Sequence, residues 1–233
     1  MGRLNDILID LYSRHYARVS ITFDDPQGTA EVLRDYETQF GDIVRALPAG
    51  SEVADLGCGI GMMVAWLATI PGVRPVGVDG SAAQIEIARK NLPPTVEVHC
   101  MQLEPFLRAR PARFGAIFAI NILEHIPGDD NVLALTEAVR DALVPGGVFV
   151  CSVPNAASLT SGYSRYMNLT HFRAFTTTYS FSCSKLRVWR IAKSGREGQR
   201  TFRKPSGCGS SIGHIGWSIA CAGGPGSVIL PRI

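Results

Sequence analysis

The stretch Val53-Ala54-Asp55-Leu56-Gly57-Cys58-Gly59-Ile60-Gly61 runs from an apolar segment into three glycines that alternate with other residues. The apolar start predicts a short buried strand, and the glycines predict a tight turn whose backbone can approach a ligand closely. A helix is predicted to follow over residues 62–69. The spacing differs from the G-x-G-x-x-G pattern of dinucleotide-binding turns, because Met62 stands where their third glycine belongs.

Two acidic residues accompany this turn. Asp55 lies two residues before the first glycine, where its carboxylate would repel a pyrophosphate but would attract a cofactor with ammonium and sulfonium charge. Asp79 comes eighteen residues after Gly61 and closes a second apolar segment, 75–78. An acid at the end of the second strand is well placed to accept hydrogen bonds from both hydroxyls of a ribose.

Strand and helix patterns alternate beyond the turn. This order predicts a doubly wound α/β fold, in which a mostly parallel, Rossmann-like sheet is covered by helices on both faces. Two amphipathic helices are predicted ahead of it, over residues 4–19 and 29–47, as an N-terminal helical addition. The predicted strands are 52–56, 75–78, 95–100, 115–120 and 148–153, and the later helices are 82–91 and 131–143.

Composition excludes several classes of protein. The net charge of the 233 residues is only +3, which gives no reason to expect nucleic acid as a partner. The longest apolar run, 116–123, is far shorter than the roughly 20 residues of a membrane-spanning helix, so no membrane insertion is expected. No C-x-x-C pair occurs, which predicts no metal site of the zinc or iron–sulfur kind and a reducing, cytoplasmic location. The six cysteines are Cys58, Cys100, Cys151, Cys183, Cys208 and Cys221.

These motifs resemble those of class I S-adenosylmethionine-dependent methyltransferases, in the small-molecule group that includes the ubiquinone-biosynthesis type. The resemblance covers roughly residues 10–179 and implies S-adenosylmethionine as cofactor. One position departs from the family pattern: Gln102 stands where an Asp often holds the adenine amino group, although its carbonyl can accept the same hydrogen bond. The cofactor-binding residues that the resemblance implies are Asp55, Gly57, Cys58, Gly59, Gly61, Asp79, Gly80, Ser81, Gln102, Leu103 and Asn121.

The segment 163–176 is similar to the acceptor-site loop of such methyltransferases. His171 within it is a candidate general base for an acceptor hydroxyl, because its pKa lies near neutrality. His125 is a second candidate, and either histidine could instead be structural. Tyr12, His15 and Tyr16 could cover the site as a lid or simply pack on the core. Methyl transfer needs little acid–base help, since alignment of the acceptor with the methyl group supplies much of the rate.

Four regions follow from these patterns: N-terminal helices or lid (1–48), cofactor-binding core (49–155), acceptor-site loop (156–181) and an atypical basic tail (182–233). Net charge is −5 over residues 1–179 and +8 over 180–233.

The resemblance implies that the tail adds an antiparallel hairpin to the sheet. The nine glycines and nine serines of residues 180–233 instead predict poor packing, with the fifth strand near an uncovered edge. A frameshift or a divergent basic tail would explain the composition.

The sequence therefore predicts transfer of a methyl group from S-adenosylmethionine to a small-molecule acceptor, at an oxygen of a sugar or another hydroxyl. Two alternatives stay open. One is a protein of the same fold that binds without catalysis, which the Gln102 position and the unusual tail would fit. The other is a nucleotide-dependent oxidoreductase, against which the glycine spacing and Asp55 both count.

Overall fold

The computed structural model describes Ile7, Ile9 and residues 22–156, 161–166, 168–175, 191–193 and 227–229. Helices and strands alternate along this part of the chain. The helices are α1 (Pro26–Arg45), α2 (Met62–Ala68), α3 (Ala82–Asn91), α4 (Leu103–Arg108), α5 (Asp129–Ala142) and α6 (Ser161–Tyr166), with a 3₁₀ turn at Leu123–His125. The strands are β1 (Ser51–Leu56), β2 (Val73–Asp79), β3 (Glu97–Cys100), β4 (Phe114–Ile120), β5 (Leu143–Ser152), β6 (Ile191–Lys193) and β7 (Ser227–Ile229).

The strands form one sheet in the order β3-β2-β1-β4-β5-β7-β6. The first five are parallel, which confirms the predicted doubly wound fold. The chain moves outward from β1 through β2 to β3, and then crosses back to place β4 on the other side of β1. This reversal makes the carboxyl ends of β1 and β4 the topological switch point, where open α/β sheets bind their ligands.

Buried apolar strands hold the sheet between two helical layers. Every residue of β1 after Ser51 is buried, as expected for a strand covered on both faces. On one face Phe40 of α1 packs edge-on against Phe118 of β4, with ring centroids 5.4 Å apart. On the other, Phe106 of α4 stacks on Phe114, with centroids 6.0 Å apart. Aromatic pairs of this kind add to the stabilisation from buried area.

Most predicted elements are confirmed to within a few residues, and α3 has the predicted bounds. Helix α4 was not predicted, because its six residues include Pro105 and are too few to show a helical period. Strand β5 begins at Leu143, five residues earlier than predicted. Its register against β4 jumps from Phe114–Leu143 to Ala116–Val148, so residues 144–147 still bulge out as the turn that the sequence indicates.

The C-terminal tail contributes two short strands to the sheet. Ile229 pairs antiparallel with Cys151 of β5, and β6 pairs antiparallel with β7. The prediction that β5 lies beside an uncovered edge is therefore wrong at Cys151, because apolar residues of the tail reach this position. The predicted poor packing of residues 182–190, 194–226 and 230–233 concerns residues outside the described part of the chain. The same holds for Tyr12, His15 and Tyr16, which were predicted either to cover the site as a lid or to pack on the core. Within the described part of the chain, no helix is long and apolar enough to cross a membrane.

Candidate functional site

The glycine turn connects β1 to α2 at the switch point of the sheet. The backbone N–H groups of Gly57 and Cys58 both donate to the Val78 carbonyl of β2, at 2.8 and 3.1 Å. Gly57 has a φ of +70°, and a Cβ there would collide with the side chain of Ile122. A glycine is therefore required at this position both for its backbone conformation and for the close approach of the loop that follows β4.

Asp79 is fixed beside this turn at the end of β2. Its Oδ2 accepts a hydrogen bond from the Gly59 N–H at 2.9 Å, and its Oδ1 accepts one from the Ser81 N–H at 2.8 Å. Burial raises the pKa of the Asp79 carboxyl, whereas these two N–H groups lower it. A carboxylate has about four acceptor positions, so Asp79 can still accept hydrogen bonds from a ligand.

Asp55 lies behind the same turn, in the penultimate position of β1, and is only 4% exposed. Burial, and then the negative charge of Asp79, raise the pKa of the Asp55 carboxyl well above its ordinary value. Two carboxyls so close together repel each other when both are ionised. A cation bound in front of them would relieve this repulsion, as the sequence predicts for the charged end of the cofactor.

The part of the site where the sequence predicts the adenine is assembled from β2, β3 and α4. The Met101 N–H donates to the Asp79 carbonyl at 3.0 Å, which brings Gln102, the residue before α4, next to Gly80. A Cβ on Gly80 would lie 3.6 Å from Nε2 of Gln102 and 2.8 Å from Cδ1 of Ile9. Gln102 is exposed and Leu103 is half-buried. Ile9, a residue that the sequence analysis did not single out, thus lies against this part of the site.

Asn121 follows β4 and has a φ of +55°, in the left-handed region that non-glycine residues seldom adopt. Its N–H donates to the Ser152 carbonyl of β5 at 2.9 Å. Strained backbone of this kind concentrates at functional sites. Here it turns the chain sharply, so that Ile122 covers Gly57 and the next residues face the acceptor-site loop.

The two candidate histidines lie together at this edge of the sheet. The rings of His125 and His171 pack edge to face with centroids 4.7 Å apart. Nδ1 of His125 is 2.8 Å from the hydroxyl oxygen of Thr170. The loop is tied down from the other side by Phe172, whose N–H donates to the Glu124 carbonyl at 2.8 Å.

Glu124 is the residue of this cluster that the sequence analysis did not select. It is 1% exposed, and burial raises the pKa of its carboxyl to about 8. Glu124, His125 and His171 each offer one atom that could bind a metal ion, a carboxylate oxygen or a ring nitrogen. These three atoms all lie within 4.8 Å of one another. A carboxylate and two imidazoles can bind a divalent cation. The prediction of no metal site rested on the spacing of cysteines. That spacing cannot reveal this set, because the set contains no cysteine and His171 comes from a separate loop.

Known proteins resemble this chain in sequence over much of its length. A family model described as a methyltransferase domain matches residues 30–190. The ubiquinone biosynthesis O-methyltransferase of Xanthomonas campestris pv. campestris is 29% identical over 135 residues, which cover 57% of this chain and 54% of that protein. The trans-aconitate 2-methyltransferase of Azoarcus sp. is 36% identical over 116 residues, which cover 48% and 44%. The chain spans about half the length of the curated relatives that it matches.

Solved structures support the fold. A SAM-dependent methyltransferase from Archaeoglobus fulgidus superposes with a TM-score of 0.63. The superposition covers 87% of this chain and 92% of that one, at 15% sequence identity. A likeness at this identity concerns the path of the backbone and not the acceptor.

Proposed function

Because this chain belongs to the methyltransferase-domain family, we propose that it transfers a methyl group from S-adenosylmethionine to an oxygen of a small-molecule acceptor. The observation that carries the proposal is the Asp79 carboxylate, held by the N–H groups of Gly59 and Ser81 beside the glycine turn. Such an acceptor suits the ribose of a nucleoside cofactor. The turn itself has no third glycine in the dinucleotide position, which disfavours the oxidoreductase alternative.

The cofactor would lie across the carboxyl ends of β1, β2 and β3. Its methionine part would pack on Gly57, Cys58, Gly59 and Gly61, with its positive charge near Asp55. Its adenine would lie against Gly80, Gln102 and Leu103, and Ser81 would keep Asp79 oriented. Asn121 would border the methyl group from β4. This arrangement places the sulfonium charge near the two buried carboxyls, whose mutual repulsion it offsets.

The acceptor would bind on the side of His125 and His171. Attack by an acceptor hydroxyl on the methyl carbon forms the C–O bond and breaks the C–S bond, and the hydroxyl proton must leave. His171 is the proposed base, with His125 beside it, because a neutral imidazole can accept this proton near neutral pH. Sugar and other hydroxyl acceptors fit this chemistry. The relative named as an O-methyltransferase supports an oxygen acceptor, and the trans-aconitate 2-methyltransferase keeps carboxylates among the candidates.

Calorimetry with the full chain tests the cofactor part of the proposal. S-adenosylmethionine and S-adenosylhomocysteine should bind, and NAD should not. Binding of NAD without S-adenosylmethionine would overturn the assignment. Transfer of a labelled methyl group to a panel of sugars, phenols and carboxylic acids then tests the acceptor class. Cofactor binding with no transfer to any of them, in a chain proven intact by mass, would favour the non-catalytic alternative.

A further inference from the structure

Thr170 is a buried residue of the acceptor-site loop whose N–H, hydroxyl and carbonyl groups form one hydrogen-bonded network with Asn168 and His125. Thr170 is 2% exposed. Its N–H donates to Oδ1 of Asn168 at 3.0 Å, and its hydroxyl donates to the same oxygen at 2.9 Å. Its hydroxyl and carbonyl oxygens lie 2.8 and 3.2 Å from Nδ1 of His125. The network therefore connects the backbone of the loop to the imidazole of His125.

The direction of each hydrogen bond in this network follows from the backbone N–H at its end. An N–H only donates, so the Asn168 atom that it meets is the carboxamide oxygen and not the nitrogen. That oxygen only accepts, so the Thr170 hydroxyl donates its one proton to it. Towards His125 the hydroxyl oxygen is then an acceptor, and the Thr170 carbonyl oxygen is one as well. Nδ1 of His125 must therefore carry a proton.

The proton on Nδ1 decides which tautomer neutral His125 adopts. A neutral imidazole carries one proton on its ring nitrogens, and the hydrogen bond at one nitrogen sets the state of the other. Nε2 therefore has the lone pair and is the nitrogen that accepts a proton. When it does so, the two oxygens of Thr170 at Nδ1 stabilise the positive charge of the imidazolium. A base that is oriented by a third group recurs in enzyme sites.

The attachment of the loop does not depend on the Thr170 hydroxyl. The Phe172 N–H donates to the Glu124 carbonyl at 2.8 Å, and the Phe175 N–H donates to the Pro154 carbonyl at 3.2 Å. Both bonds are between backbone groups, so they persist when a side chain in the loop is changed. The hydroxyl of Thr170 thus orients His125 without being needed to hold the loop in place.

We infer that Thr170 is a positioning residue for methyl transfer, which together with Asn168 holds His125 as the Nδ1–H tautomer and so fixes Nε2 as its proton-accepting nitrogen. This inference rests on the proposed function. As the acceptor oxygen bonds to the methyl carbon and the C–S bond breaks, the sulfonium becomes a neutral thioether and the hydroxyl proton leaves. Whether or not His171 takes it first, this proton ends on Nε2 of His125, while Nδ1–H stays bonded to Thr170.

Nitrogen NMR of the full chain labelled with ¹⁵N-histidine reads the tautomer, at a pH where His125 is neutral and with EDTA present to remove divalent cations. The His125 signals are identified by their loss in His125→Gln. In the unaltered chain Nδ1 should be protonated and Nε2 unprotonated. Thr170→Val, which removes the hydroxyl and keeps the shape, should raise the population of the Nε2–H tautomer. Thr170→Ser, which keeps the hydroxyl, should retain the Nδ1–H tautomer.

Methyl-transfer assays with the panel of sugars, phenols and carboxylic acids test the consequence for the reaction. Thr170→Val should lower kcat about 10-fold, as expected for one lost hydrogen bond to a charged group, with an unchanged KM for S-adenosylmethionine. Thr170→Ser should keep the kcat of the unaltered chain. The matched control is Thr136→Val in α5, because Thr136 is also buried and its hydroxyl donates to the Val132 carbonyl of the same helix. It should change neither kcat nor the tautomer.

Three results would overturn the inference: an Nε2–H tautomer of His125 in the unaltered chain, an unchanged tautomer in Thr170→Val, or an unchanged kcat in that variant. If Thr170→Val does not fold, Asn168→Leu, which removes the acceptor of the Thr170 hydroxyl, must show the same shift towards Nε2–H. Absence of methyl transfer by the unaltered chain to every acceptor would overturn the proposed function. The NMR spectra would then still decide whether Thr170 orients His125.

Discussion

Replacing Glu124 with Gln should stabilise the protein at alkaline pH. Burial raises the pKa of this carboxyl to about 8 from an ordinary value of 4.5. A carboxyl with a higher pKa in the folded chain than in the unfolded chain binds more protons when folded. Its contribution to stability is therefore lost as the pH rises from the unfolded to the folded pKa. Each tenfold change in proton affinity corresponds to about 1.4 kcal/mol. Above pH 8 the free energy of unfolding is therefore about 5 kcal/mol lower than it would be with the carboxyl protonated.

Glu124→Gln has no such proton to lose. At about pH 5 its free energy of unfolding should match that of the unaltered protein. The difference between the two free energies should grow as the pH rises to about 8 and then stay constant. Urea titrations followed by tryptophan fluorescence, to which buried Trp66 contributes, measure both curves. Glu97→Gln is the matched control, because Glu97 is exposed beside His99. It should follow the unaltered protein. Parallel curves for Glu124→Gln and the unaltered chain would refute the argument.

Four further predictions concern the site. Asp79→Ala should weaken S-adenosylhomocysteine binding by about 1.5–3 kcal/mol, the range of charge-assisted hydrogen bonds, with the fold retained; an unchanged dissociation constant in calorimetry would remove Asp79 from the site. Gly57→Ala should lower the free energy of unfolding by about 2 kcal/mol, because of the left-handed backbone and the collision with Ile122; full stability in denaturant titrations would contradict this. Affinity for S-adenosylmethionine should fall as the pH is lowered towards the raised pKa of the Asp55 carboxyl, because the protonated group no longer attracts a cation; a flat pH profile by calorimetry would count against Asp55. Once an acceptor is known, His171→Ala should lower kcat about 100-fold or more with cofactor affinity intact if it is the base, whereas a change confined to KM or to stability would show that it only holds the loop.

The cofactor half of the site could be anticipated because its signals are local in the chain. The turn from β1 into α2 is encoded in nine consecutive residues, 53–61, and Asp79 follows at the end of the next strand. The prediction for the end of the sheet was less accurate. Composition suggested an open edge beside β5, but Ile229 pairs with Cys151. Composition averages over the whole tail, whereas a few apolar residues suffice to form a short strand where the tail reaches the sheet.

The sequence by itself determined the alternation of strands and helices, the glycine turn and the acid that ends β2, because periodicity and spacing act over a few residues. Only the tertiary structure decided which distant groups meet. His171 lies 46 residues after His125, and the Phe172–Glu124 hydrogen bond ties its loop to the 3₁₀ turn that follows β4. The burial of Glu124 arises in the same way, since solvent exposure depends on every segment packed around a residue and not on its neighbours in sequence.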